Sequence, residues 1–147
     1  IAIGRAFHWF DHSRCRPEFL RILRPNGWVM IAGLGQRRAS EPLEQDYEAL
    51  LHQYGIDYGE HRSRYAVGAA ARQFLSREVQ KAEFPSLEEL TYEALEGRML
   101  SLSVTPRPED PRFAPFQAAL KAYFDQYQTK GAIQLPVNCK VYIGRLD

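Results

Sequence analysis

IAIGRAFHWFDHSRCRPEFLRILRPNGWVMIAGLG, residues 1–35, holds two apolar runs with one amphipathic segment between them. Ile1–Gly4 reads as the end of a strand. Asp11, His12 and Ser13 are helix-start types, and Pro17 suits a helix's first turn. Phe19, Leu20, Ile22 and Leu23 give that helix an apolar face, with Arg21 and Arg24 on a wet one. Pro25-Asn26-Gly27 stops it, because Asn or Gly can take the left-handed conformation. Trp28–Ala32 is a short apolar run between turn signals, the pattern of a strand buried on both faces. The whole is a β–loop–α–β unit, which belongs to open parallel sheets. Such sheets bind ligands in the loops that follow their strands. Phe7, His8, Trp9 and Phe10 occupy the first such loop.

Beyond Gly35 the pattern is mostly helical. Arg37–Glu41 is a polar loop in which Ser40 can cap a helix with Pro42 in its first turn. Leu43, Tyr47, Leu50, Leu51 and Tyr54 repeat at helical spacing, and Gly55 ends the run. Ile56–Tyr65 is polar and Tyr-rich and reads as loop. Ala66–Phe74 reads as a short helix and Val79–Phe84 as a strand. Ser86 and Glu89 have capping-box spacing, so a helix is expected from Pro85 to about Ser101. SVTPRPEDPR reads as an exposed, proline-rich connector. Asp110-Pro111 then caps a helix with Phe113, Phe116, Leu120, Tyr123, Phe124 and Tyr127 on one face and Gly131 at its end. From Ile133 to Ile143 apolar residues alternate with polar ones, the clearest half-buried strand in the chain. Pro136 cannot donate to a ladder and belongs at an edge or bulge.

The 147 residues are 45% hydrophobic and 25% charged, a globular composition, with a formal charge of +1. That balance argues neither for nor against nucleic acid. The basic residues are interspersed with acidic ones as on solvated faces, so no nucleic-acid partner is expected. No apolar run approaches the roughly 20 residues of a membrane span, so no membrane partner is expected either. Cys15 and Cys139 show no framework spacing and read as free thiols in a reducing cytoplasm. A cytoplasmic location follows as the expectation.

AFHWFD, the helix ending ILRPNGW and the following VMIAGLGQRR together resemble the middle of a class I S-adenosyl-L-methionine (SAM)-dependent methyltransferase. The subgroup is the one whose fourth strand runs into a Q-A-F-H-W-F-D type loop and whose fifth follows L-x-P-G-G. Gly4-Arg5 precedes Ala6 here, and Asn26 replaces the turn's first glycine. RMLSLSVTPRPEDPRF, FDQYQTKG and VYIGRLD are similar to the same subgroup's tail. The resemblance implies an α/β fold: the C-terminal part of a Rossmann-like sheet, parallel strands plus an antiparallel closing strand, with helical insertions. It implies a single partial domain over 1–147, with strand–loop–helix–strand in 1–35, substrate-side cover in 36–112, and helix and closing strand in 113–147. The family's glycine-rich cofactor loop does not appear: Gln36-Arg37-Arg38 follow Gly33-Leu34-Gly35, and no helix opens there. The start inside a strand, on Ile-Ala-Ile, therefore reads as the C-terminal portion of a longer methyltransferase.

What the resemblance places at the cofactor is the end of the first strand. Gly4, Ala6, Phe7 and Trp9 become the cofactor-binding candidates, a small residue at Gly4 or Ala6 letting the backbone approach closely. An aromatic face beside a sulfonium is favourable as any cation–π contact is, by roughly 0.5–2 kcal/mol. The plain alternative for Phe7, Trp9 and Phe10 is core packing. His8 is the catalytic candidate, as general base or substrate hydrogen-bond donor with a pKa near neutrality. The alternative, a structural histidine bonded to backbone, is preferred. Arg37 and Arg38 could hold an anionic substrate with their guanidinium forks, although a solvated loop is the simpler reading. His8, Asp11, His12 and Cys15 do not make a metal site, since no second ligand cluster accompanies them.

The function implied is SAM-dependent methyl transfer to a small-molecule acceptor by the full-length parent. In that reading the chain is inactive by itself and its partner is the missing N-terminal half or another copy. The competing reading is a non-catalytic methyltransferase-like fragment serving interaction or oligomerisation, because its first strand would leave an unpaired sheet edge.

Overall fold

The computed structural model describes residues 1–34, 41–60 and 67–146. Among these residues four strands form one sheet: β1 (Ala2–Gly4), β2 (Val29–Leu34), β3 (Arg77–Leu90) and β4 (Ile133–Arg145), in the order β1-β2-β4-β3. β1 and β2 are parallel, with Ile3 opposite Ile31. β4, the last strand in sequence, lies antiparallel beside β2, with Tyr142 opposite Ile31. The parallel pair with an antiparallel closing strand is the sheet expected from the sequence. The helices are α1 (His12–Ile22), α2 (Pro42–Tyr54), α3 (Val67–Leu75), α4 (Tyr92–Leu100) and α5 (Phe113–Tyr127).

The chain divides into two compact units, each built from separate stretches of sequence. The first comprises 1–36, 64–85 and 138–147; the second comprises 37–63 and 86–137. In the first, Ile3, Val29 and Ile31 of the sheet pack with Ala71, Phe74 and Leu75 of α3 and with Tyr142. In the second, Tyr47, Leu50 and Leu51 of α2, Leu95 and Met99 of α4, and Phe116, Leu120, Tyr123 and Phe124 of α5 enclose Ile133 and Leu135. The faces of α2 and α5 that helical spacing singles out are thus the faces that pack.

Several local expectations are corrected. α1 begins at His12 with Asp11 as its cap, so Pro17 sits inside the helix rather than in its first turn. Leu20 and Ile22 are exposed, and the packed stripe is Phe19 and Leu23. These two lie four apart, flanked by Cys15 and Arg16 one turn earlier, which is the 3.6-residue period. Val29 and Ile31 are buried while the alternate residues of β2 are only half-covered, so the strand is not buried equally on both faces. The largest correction is at 85–90. No helix starts at Ser86; the strand continues to Leu90, and Thr91 caps α4 by accepting from Ala94 N at 3.3 Å. Long-range pairing overrides the local cap signal: Glu89, instead of capping, accepts from the Gln134 side chain of β4 at 2.8 Å.

The 101–112 connector is not wholly exposed either. Val104, Thr105 and Pro106 are buried, and Val104 O accepts from Ile56 N at 2.8 Å. Asp110 does not cap α5 with its side chain. It forms the turn before it, accepting from Arg112 N at 2.9 Å and gripping the Arg112 guanidinium with both oxygens. Residues 58–60 are helical where a loop was expected. Ser40 lies outside the described residues. Pro136 falls in the part of β4 beyond Cys139, where the pairing with β2 stops, so its missing N–H interrupts no bond to that strand.

Leu120→Ala and Ile31→Ala each remove a side chain with essentially no exposure. Each is expected to cost about 2–5 kcal/mol in urea denaturation, whereas exposed Leu20→Ala should shift stability by no more than about 0.5 kcal/mol. The Arg112 side chain holds the Asp110 carboxyl down at about 2, from an ordinary 3.8. A depressed carboxylate stabilises the fold above its unfolded value and loses that contribution as pH falls through the folded one. Asp110→Asn should therefore flatten the stability curve between about pH 4 and pH 2 and leave its shape at neutral pH unchanged.

Candidate functional site

The pairing of β1 with β2 ends at Gly4 opposite Ala32, and β2 runs on to Leu34. Arg5 follows in the left-handed region, φ 54°, and its N–H reaches Ala32 O at 2.8 Å. A non-glycine residue there costs about 1–2 kcal/mol, and the turn it makes carries the chain away from the sheet. Residues Phe7–Trp9 then form one 3₁₀ turn, with Trp9 N donating to Ala6 O at 3.0 Å.

That turn sorts the aromatic side chains. Phe7 is 2% exposed. Its ring stacks on His12 at 4.2 Å and meets Phe74 edge-on at 5.2 Å. Phe10 packs edge-on against Phe19 at 6.3 Å. Both therefore anchor α1 to the sheet, and Phe7 can offer a ligand its main chain rather than its ring. Trp9 points the other way and is 62% exposed. His8 is half-buried with its ring 4.9 Å from that of Trp9. Ala6 is half-buried, and a Cβ built on Gly4 would meet nothing within 4 Å. The main chain at Gly4 thus faces open space, and the histidine and the exposed indole follow it in the chain at positions 8 and 9.

Asp11 fixes the start of α1. One of its oxygens accepts from Ser13 N, Ser13 Oγ and Arg14 N at 3.0, 2.6 and 3.2 Å. The Ser13 hydroxyl, then the Arg14 N–H, hold its carboxyl below the ordinary 3.8. His12 turns a ring nitrogen to Phe7 O at 3.2 Å. Asp11 and His12 are thereby used for structure. Among the described residues no group of three or more His, Cys, Asp and Glu side chains is placed to hold a metal ion. Arg37 and Arg38 lie outside the described residues.

Sequence reading passed over two features. Arg5 is exposed at the end of β1, and only its backbone angle marks it. In the second unit an open groove of about 380 Å³ is lined by Leu43, Glu89, Tyr127, Lys130 and Gln134, among others. These residues are scattered over some ninety positions of sequence, so no local pattern could announce it. No helix among the described residues is long and apolar enough to cross a membrane.

No protein-family model matches the chain, and no curated protein matches it by sequence. Solved structures do match. One from Anaeromyxobacter dehalogenans, provisionally described as a type II methyltransferase, aligns with a TM-score of 0.58 at 18% identity, over 99% of this chain and 63% of that one. The likeness is one of fold: mixed α/β with, among the described residues, an open four-stranded sheet, as in part of that structure. This chain spans less than two thirds of the length of that protein.

Removing the cap by Asp11→Ala should speed amide hydrogen exchange at Ser13, whose acceptor is lost, and less so at Arg14, which keeps the Asp11 backbone carbonyl at 3.2 Å. Exchange at Val29 and Ile31, in the sheet, should stay the same. Equal exchange at Ser13 and Arg14 in both proteins would contradict the capping role.

Proposed function

We propose that the chain forms the C-terminal half of a SAM-dependent methyltransferase that acts on a small-molecule acceptor. The observation that carries this reading is the strand order, with the last strand entering antiparallel beside β2, in a chain that aligns over 99% of its length with a methyltransferase structure. The residues at the end of β1 fit one end of the cofactor: open main chain at Gly4 for a close approach, and the exposed face of Trp9 for a cation. When bound, SAM supplies an electrophilic methyl on a sulfonium, which an acceptor displaces in line.

Within that reading the roles divide. Gly4 and Ala6 bind the methionyl part through main chain. Trp9 would offer its exposed ring face to the positive sulfur. Phe7 holds the turn in place from below. His8 takes the acceptor's proton or orients it by a hydrogen bond. Arg37 and Arg38 would pair with a carboxylate on the acceptor. The adenosine end requires a glycine-rich loop supplied by a preceding N-terminal half, and β1 offers that half its free edge. The same free edge also favours a second reading, in which the chain is a non-catalytic interaction module.

Isothermal titration separates the two. The chain alone is expected to bind SAM weakly or not at all, and the chain joined to its upstream half to bind one equivalent. In that protein Trp9→Ala should weaken SAM roughly 2- to 30-fold, the loss of a cation–π contact of about 0.5–2 kcal/mol. His8→Ala should lower kcat by roughly 100-fold or more with little change in SAM affinity. A joined protein that binds no SAM would leave the interaction-module reading standing.

A further inference from the structure

Among the described residues β3 ends the sheet, so one side of its backbone has no described strand beside it. From Gln80 to Leu87 every side chain is exposed, on both faces of the strand. Phe84 is 57% and Leu87 65% exposed. A long edge that carries apolar side chains is a template for another strand. Charges on an edge ordinarily block such pairing, so the pattern of charge on β3 decides what can lie against it.

Lys81 and Glu83 stand two apart, on one face of the strand, and form an ion pair along it. Glu83 also accepts from the Asn138 amide of β4 at 2.7 Å, which fixes the carboxylate. Two copies of such an edge, run antiparallel about a two-fold axis, bring residue 81 of each opposite residue 83 of the other when the axis passes through residue 82. We infer that β3 pairs antiparallel with β3 of a second copy, with the axis at Ala82, extending the sheet across two chains.

The residues select this register. With the axis at Ala82, each Lys81 faces a Glu83 and the charges that guard the edge become complementary. An axis at residue 81 sets Lys81 against Lys81, and one at residue 83 sets Glu83 against Glu83; like charges directly opposite destabilise a pair. On the other face Phe84 comes opposite Gln80, diagonal to the small Ala82 of the second copy, which leaves room for the ring. Leu87 lies over the aliphatic stem of Arg77. Pro85, with no N–H to offer, falls opposite Val79 toward the end of the paired segment and costs at most one ladder bond.

Sedimentation equilibrium of the 147-residue chain tests this. The expected species has twice the 16.9 kDa mass of one chain. Lys81→Glu, which puts only like charges across the axis, should raise the dimer dissociation constant at least tenfold, and Lys81→Glu with Glu83→Lys should restore it. Circular dichroism checks that each variant folds. Ala82→Cys gives an independent reading: residues facing each other across the axis have Cα atoms about 4.5–5.5 Å apart, within disulfide range. With oxidised glutathione present it should yield a covalent dimer on a non-reducing gel, beyond any formed by the parent chain through Cys15 or Cys139. A chain that stays monomeric at all concentrations overturns the inference. So does a dimer that is indifferent to Lys81→Glu and unlinked by Ala82→Cys, whether it forms through the β1 edge or any other surface.

Discussion

The antiparallel pairing of β4 with its neighbours is the interaction on which the rest depends. This one strand of 13 residues carries Ile133 and Leu135 into one hydrophobic core and Tyr142 into the other. Neither core closes without it. Its C-terminal half is braced at the side-chain level too. Arg145 donates to Asn26 Oδ1 at 3.1 Å, pairs with Glu78 at 3.1 Å and lies 4.7 Å over the Trp28 ring. One guanidinium thereby joins the turn before β2, the start of β3 and the end of β4. The candidate site inherits its position from this sheet, since among the described residues β1 reaches the rest of the sheet only through β2.

Much of this was legible in the sequence, and what was legible shares a cause. The apolar alternation of β4, the helical faces of α2 and α5, and the β–loop–α–β run of residues 1–35 are local patterns whose burial follows from their own period. The failures are places where distant partners decide. Ser86 and Glu89 carry a good capping signal, yet pairing with β4 keeps them extended. Leu20 and Ile22 look like core residues, yet helix α1 turns the stripe containing Phe19 and Leu23 inward. SVTPRPEDPR has the composition of an exposed connector, yet Thr105 is buried and its hydroxyl donates to Met99 O.

The site was legible by type and not by orientation. Four consecutive aromatic residues mark a loop at a strand end, and nothing in their order tells which ring turns inward. The 3₁₀ turn and Arg5's left-handed backbone make that choice: Phe7 goes to the core and Trp9 to solvent. Charge was likewise hidden. The first unit has eleven Lys and Arg against five Asp and Glu, and the second has eight against thirteen. Because the units interleave along the chain, a formal +1 conceals one unit at +6 and another at −5. The basic unit is the one that holds the strand-end loop.

The proposed function depends on the position of the closing strand, β4, which lies antiparallel beside β2. Cross-strand nuclear Overhauser contacts in solution measure that directly. Contacts are expected between Ile31 and both Ile3 and Tyr142, and between Ala32 and Val141. Contacts that instead put Tyr142 and Val141 beside Ile3, or β2 without β4 at its side, would contradict that position and remove the basis for reading a cofactor site at Gly4.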